Sequence, residues 1–141
     1  MSQLRSDCRK PILEISSALQ ISRYTVTDRL RILQRTVIQK YTALLDFRRL
    51  GYFHLCFSIT LSEDDKEVFC RYIQQHSFLN TLYKLQENGD YFVEMLFPTR
   101  DEAEDFLSSL RNAFSITHLH LFFVEKPLVQ ESFLPQLTEG G

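Results

Sequence analysis

The 141 residues, 44% of them apolar and 24% charged, suffice for one mid-sized domain or two small ones and exclude a disordered chain. No stretch approaches the ~18 uninterrupted apolar residues of a spanning helix. Residues 1–8 carry no apolar leader core, so a cytoplasmic protein without a membrane partner is expected. The net charge of −2 hides a division: residues 1–50 hold ten Lys/Arg against four Asp/Glu, a balance of +6, and residues 51–141 hold six against fourteen, −8. A basic segment is drawn to a polyphosphate and an acidic one is repelled, so the first half is the end expected to meet double-stranded DNA.

The first half reads as short helices. Pro11 suits a first helical turn, and Ile12, Ile15 and Leu19 follow at helical spacing to an end near Gln20. Ser22 is the expected N-cap of a second helix, with Val26, Leu30 and Leu33 on its buried side. Two short helices about three residues apart are a helix-turn-helix candidate. On the second helix Arg23, Tyr24, Thr25, Thr27, Asp28 and Arg31 combine donors, an aromatic ring and guanidinium groups, the composition of a helix that lies in the major groove. Arg23, Tyr24, Thr25 and Thr27 are assigned to base edges. Arg29, Arg31 and Arg35 are assigned to phosphates or to intramolecular carboxylates, with Arg29 at the edge of the core. The β-branched and aromatic residues of Val37 to Asp46 predict a strand or wing. Phe47 to Gly51 turns into the next domain, giving a DNA-binding domain over 1–50 and a second domain over 51–141.

Phe53, Leu55, Phe57, Ile59 and Leu61 alternate with His54, Cys56, Ser58 and Thr60, which describes a strand with one buried face. Ser62 should cap a helix whose first turn carries Glu63, Asp64 and Asp65 and whose apolar stripe is Val68, Phe69, Tyr72 and Ile73. Leu79 to Gln86 and Tyr91 to Phe97 are strands joined through Asn88-Gly89, a strong hairpin signal. A helix over Arg100 to Phe114 and a strand over Thr117 to Val124 complete the order β-α-β-β-α-β. The expected fold class is therefore α+β: a winged helix-turn-helix followed by a ferredoxin-like sandwich whose four-stranded antiparallel sheet has helices on one side and an open second face.

With these pieces in order the chain resembles the leucine-responsive regulator/AsnC family, the feast/famine regulators. The resemblance rests on Asp7-x-Arg9 with Glu14-Ile15 and on Ile21-Ser22-x-x-Thr25-Val26-x-x-Arg29-Leu30-x-x-Leu33. It continues through Val37-Ile38-x-x-Tyr41-Thr42-Ala43, Leu50-Gly51 and Gly89-Asp90-Tyr91. It implies a DNA-binding regulator that dimerises across its sheet, a homo-oligomer often reaching an octamer, with an amino-acid-like effector between dimers near the hairpin turn. Asn88, Gly89, Asp90 and Tyr91 are the effector-binding candidates, exposed backbone N–H groups around Gly89 receiving a carboxylate. Three positions depart from the family pattern: the first helix is short, Thr36 stands where a glycine usually ends the recognition helix, and Phe92 stands where many members have an aspartate.

No nucleophile elbow, phosphate-binding glycine loop or His-Glu-x-x-His is present, so no catalytic residue and no cofactor are assigned. The acidic clusters Glu63–Asp65 and Asp101–Asp105 read as helix starts. Cys8, Cys56 and Cys70 lack Cys-x-x-Cys spacing, and neither a disulfide framework nor a structural zinc site is indicated. His54, His118 and His120, placed with Cys56 on the open sheet face, are the weaker candidates for a metal. One rival is a haem-biosynthetic decarboxylase of similar build holding a tetrapyrrole, for which the second half offers only Arg71, Arg100 and Arg111. The other is a sensor or interaction module that has lost DNA binding.

Overall fold

The computed structural model describes residues 2–131. They form two compact units, one of residues 2–44 with 129–131 and the other of Leu45–Leu128.

The first unit is helical. A short helix α1 (Ser2–Ser6) buries none of its residues. Helix α2 (Ile12–Leu19) starts one residue later than its sequence suggests, with Pro11 as its N-cap residue and the Pro11 carbonyl accepting from the Ile15 N–H at 3.1 Å. Its end is set by Gln20, left-handed at φ 54°, after which the Ile21 N–H returns to the Ser16 carbonyl. Helix α3 (Arg23–Thr36) begins at Ser22, whose hydroxyl accepts from the Thr25 N–H at 3.1 Å. The turn between the helices is thus Gln20, Ile21 and Ser22. Among the described residues only Ile15 and Val26 are buried here; Leu30 and Leu33 are half-buried.

Thr36 does not occupy a left-handed position. It is the last residue of α3, its hydroxyl donates to the Ile32 carbonyl at 2.8 Å, and Val37 follows at φ −124°. The N–H groups of Val37 and Ile38 both close on the Leu33 carbonyl, which ends the helix without a glycine. The strand expected over Val37 to Asp46 does not form among the described residues. Val37, Tyr41, Leu44 and Leu45 have the side chains of a strand, but a ladder needs a partner backbone, and these side chains are exposed.

The second unit runs β1 (Phe53–Leu61), α4 (Glu63–Gln74), β2 (Leu79–Lys84), β3 (Tyr91–Phe97), α5 (Arg100–Ala113), β4 (Ile116–Phe123). All neighbours in the sheet are antiparallel, in the order β2-β3-β1-β4. Register fixes the two faces. Leu55, Phe57 and Ile59 stand opposite Met95, Val93 and Tyr91 on one side and opposite Phe123, Leu121 and Leu119 on the other. This face packs with Phe69 and Ile73 of α4 and with Ala103, Phe106, Leu107 and Leu110 of α5 to make the core.

Two helix details differ from expectation. Ser62 precedes α4 but makes no side-chain cap; the Asp65 carboxylate instead accepts the Ser115 N–H at 2.7 Å, which holds its pKa below the usual range. Val68 is half exposed, so Phe69 and Ile73 alone are the buried stripe. Thr99 caps α5, accepting from the Glu102 N–H at 3.2 Å.

Candidate nucleic-acid interface, hairpin turn and open sheet face

At about 100° per residue, positions four, seven and eleven residues beyond Tyr24 fall on the side of α3 away from Val26. Those positions are Asp28, Arg31 and Arg35, and all four side chains are exposed, Tyr24 to 81%. Arg23 and Arg29 are exposed as well, but by the same rule each lies about 60° from Val26, so both border the buried side and Arg29 stands at the edge of the core. Thr25 and Thr27 are half-buried and already engaged: the Thr25 hydroxyl is 2.8 Å from the Ser22 hydroxyl, and Thr27 donates to the Arg23 carbonyl at 2.9 Å. Among the described residues Arg23, Arg29, Arg31 and Arg35 form no ion pair. Guanidinium groups held on one helix without an internal carboxylate partner are suited to phosphate oxygens and guanine edges. Arg35 belongs to the outward stripe by its angle, which helical spacing from Tyr24 could have shown.

The hairpin turn is built by four residues with different duties. Asn88 is left-handed at φ 61° and Gly89 lies at φ 131°. A Cβ on Gly89 would also meet the Ile59 carbonyl at 3.3 Å, so backbone conformation and close approach both demand glycine there. Asp90 ties the turn to the sheet: its N–H donates to the Ile59 carbonyl at 2.9 Å and its Oδ2 accepts the Leu61 N–H at 2.8 Å. Its Oδ1 lies 3.2 Å from the Lys66 ammonium, which also bonds Glu63, and these carboxylates raise the Lys66 pKa. Tyr91 is buried against Phe69, its hydroxyl donating to the Lys66 carbonyl at 3.2 Å. Asp90 and Tyr91 are therefore committed within the fold, whereas Asn88 is exposed at the tip. Beside the turn, an open depression of about 580 Å³ lies between α4 and the hairpin, lined among others by Glu67, Cys70, Lys84 and Asp90.

The open sheet face carries a polar cluster. Cys56 stands opposite Glu94 and His54 opposite Leu96, so the three polar side chains share one face. His54 Nε2 is 2.7 Å from Glu94 Oε1, and Cys56 Sγ is 3.7 Å from His54 Nε2. Glu94 Oε2 accepts from Asn80 Nδ2 and from Thr81 Oγ1, each at 2.7 Å. Burial would raise the Glu94 pKa, but hydrogen bonds from Thr81, Asn80 and His54 outweigh it and hold the carboxyl below its usual range. Burial and the Glu94 charge push the Cys56 thiol up to about 11. His118 and His120 share the face but stand opposite Thr60 and Ser58. His120 is thus about 13 Å along the strand from the level of His54, from a rise of ~3.3 Å per residue. Glu94 is the residue that sequence reading missed. Alternation puts it on the open face, yet only the β1–β3 register brings it to Cys56. Arg71, Arg100 and Arg111 are exposed on α4 and α5, as expected for solvated helix faces.

No family model matches the chain. A curated relative, the HTH-type transcriptional regulator LrpC of Bacillus subtilis, is 26% identical over 127 residues that cover 89% of this chain and 88% of the relative. The solved structure of AsnC from E. coli matches at a TM-score of 0.82 and 17% identity, covering 95% of this chain and 93% of that one. A transcriptional regulator of Neisseria meningitidis, solved as its L-methionine complex, matches at a TM-score of 0.82 and 18% identity, covering 94% of this chain and 89% of its own. No helix among the described residues is long and apolar enough to cross a membrane.

Proposed function

We propose that the chain belongs to the Lrp/AsnC family, since two curated relatives, each 26% identical to it, are named HTH-type transcriptional regulators. On that reading it is a sequence-specific DNA-binding regulator with a helix-turn-helix domain over residues 1–50 and a ferredoxin-like dimerisation and sensing domain over 51–141. The observation that carries this reading is α3: it follows a three-residue turn in the basic half of the chain and presents Tyr24, Asp28, Arg31 and Arg35 outward, with Arg23 and Arg29 exposed at the borders of its buried side. Arg23 and Tyr24, at the N-terminal end of the helix, are placed to reach base edges, as are Thr25 and Thr27 once DNA competes for their hydroxyls. Arg29, Arg31 and Arg35 neutralise phosphates. The sheet order and the one-sided helical cover support the ferredoxin-like assignment.

Dimerisation is proposed through the open sheet face, where Tyr83 and Phe122 are 58% and 50% exposed. A dimer gives two recognition helices and hence a two-fold operator, with weak half-site contacts made tight by tethering. An amino-acid effector is proposed at the Asn88–Tyr91 turn, with the backbone at Asn88 and Gly89 receiving its carboxylate. The L-methionine bound by the Neisseria regulator supports this class of ligand.

Selection of duplex fragments from a random pool by the purified protein tests the DNA reading. A two-fold symmetric motif that loses its preference at defined positions in Arg23→Ala and Tyr24→Ala is expected. Recovery of no motif above the unselected pool would leave the sensor-module reading in its place.

A further inference from the structure

The cluster on the open sheet face has the donor set of a metal site, and nothing in DNA reading or effector sensing uses it. We propose that His54 Nε2, Cys56 Sγ and Glu94 Oε1 form a three-ligand site for a divalent transition metal of the zinc class, with a fourth position left to water or to a group brought by a second copy. The three donor atoms lie within 4.8 Å of one another, and all three residues are at least partly buried.

The geometry fits with little motion. Tetrahedral zinc with bonds of about 2.0–2.3 Å separates its ligand atoms by roughly 3.3–3.7 Å. The Cys56–His54 separation, 3.7 Å, is already in that range, and the His54–Glu94 hydrogen bond at 2.7 Å must open by about 0.6 Å, a small side-chain rotation. The backbone contributes rigidity: Cys56 and Glu94 are cross-strand partners in the centre of the sheet, and His54 is two residues along the same strand. No loop has to close.

The second support is the setting of Glu94. Asn80 and Thr81 both donate to Oε2, so the carboxylate is oriented from behind and Oε1 is the oxygen turned toward His54 and Cys56. Such outer hydrogen bonds fix a ligating carboxylate in metal centres. A thiol, an imidazole and a carboxylate together select borderline metals over calcium or magnesium, which prefer oxygen alone. His118 and His120 share the face but do not belong to the cluster of donor atoms within one chain.

The test uses full-length protein stripped with chelator and titrated with cobalt(II), whose thiolate charge-transfer band in the near ultraviolet reports a cysteine ligand directly. Cys8→Ser and Cys70→Ser are introduced first, leaving Cys56 as the single thiol. One equivalent per chain, an intense four-coordinate visible spectrum and displacement by zinc(II) are expected. Cys56→Ser should abolish the ultraviolet band, and Asn80→Ala or Thr81→Val should weaken affinity about 10–100-fold while keeping it. His54→Gln retains a hydrogen-bonding partner for Glu94 and so spares the fold. Its thermal midpoint should match that of metal-free parent protein and should no longer rise with zinc. Absence of the band in the single-thiol protein, or a zinc response unchanged in both Cys56→Ser and His54→Gln, would overturn the site.

Discussion

Asp90 offers a direct separation of structural from ligand-binding duty at the hairpin turn. Its carboxylate is 19% exposed and satisfies the N–H of Leu61, a residue only 4% exposed, at the point where the β1–β4 register shifts. Asp90→Ala leaves that donor without a partner in a place water barely reaches, at a cost of about 1–3 kcal/mol. The pairing with Lys66 is screened by solvent and adds little to this. The expected destabilisation is therefore about 1–3 kcal/mol. Asp90→Asn keeps an amide oxygen for Leu61 and gives up only the charge, for about 1 kcal/mol. In a unit of this size each kcal/mol moves the thermal midpoint by about 4–8 °C, so the alanine variant should melt at least ~4 °C lower, and further below the parent than the asparagine variant. Urea unfolding followed by tyrosine fluorescence reads this, because Tyr52, Tyr72, Tyr83 and Tyr91 all lie in the second unit. An alanine variant that unfolds with the parent yet fails to bind an amino acid would refute the reasoning and return Asp90 to the ligand.

Three further outcomes follow from the same geometry. Gln20→Gly should stabilise the first unit by roughly 0.5–1 kcal/mol in a thermal melt, since Gln20 holds φ 54° where a side chain is strained and glycine is not. Gly89→Ala should cost about 1–3 kcal/mol or more, because φ 131° and the nearby Ile59 carbonyl both oppose a Cβ; an unchanged midpoint would mean that the turn relaxes freely. His76 packs against Phe78, Phe97 and Phe106, and burial lowers its pKa. A depressed folded pKa means that its contribution to stability is complete above the unfolded value, near ~6.5, and is lost as pH falls through the folded one. His76→Phe should flatten the decline in urea midpoint over that acid window, and an identical slope in the variant would assign the pH dependence to other groups.

Much of the second unit is legible in the sequence because its signals are local and agree. Period-two alternation delimits Phe53–Leu61, the Asn88-Gly89 turn sets the hairpin, and acidic first turns open both helices. Where sequence reading falls short, a distant partner decides. Val37 to Asp46 has strand-forming side chains, yet strand identity belongs to a pairing, and none exists among the described residues. Thr36 fills a place where a glycine is expected, but the helix ends through the Leu33 carbonyl and needs no left-handed residue. Glu94 reaches Cys56 through register between strands some forty residues apart, which alternation along one strand does not specify. On α3 the residue types that mark a DNA-reading helix are visible in the chain, whereas the engagement of the Thr25 and Thr27 hydroxyls by Ser22 and Arg23 emerges only with the cap and turn in place.

The central claim, that α3 reads DNA, is tested most directly by the salt dependence of binding to the selected duplex, measured for the parent protein and for Arg31→Ala and Arg35→Ala. Each phosphate contact contributes about 0.9 to the slope of log affinity against log salt. The account predicts a steep slope for the parent and a loss of about one per protomer in each variant. A parent affinity indifferent to salt, or slopes unchanged in both variants, would contradict it.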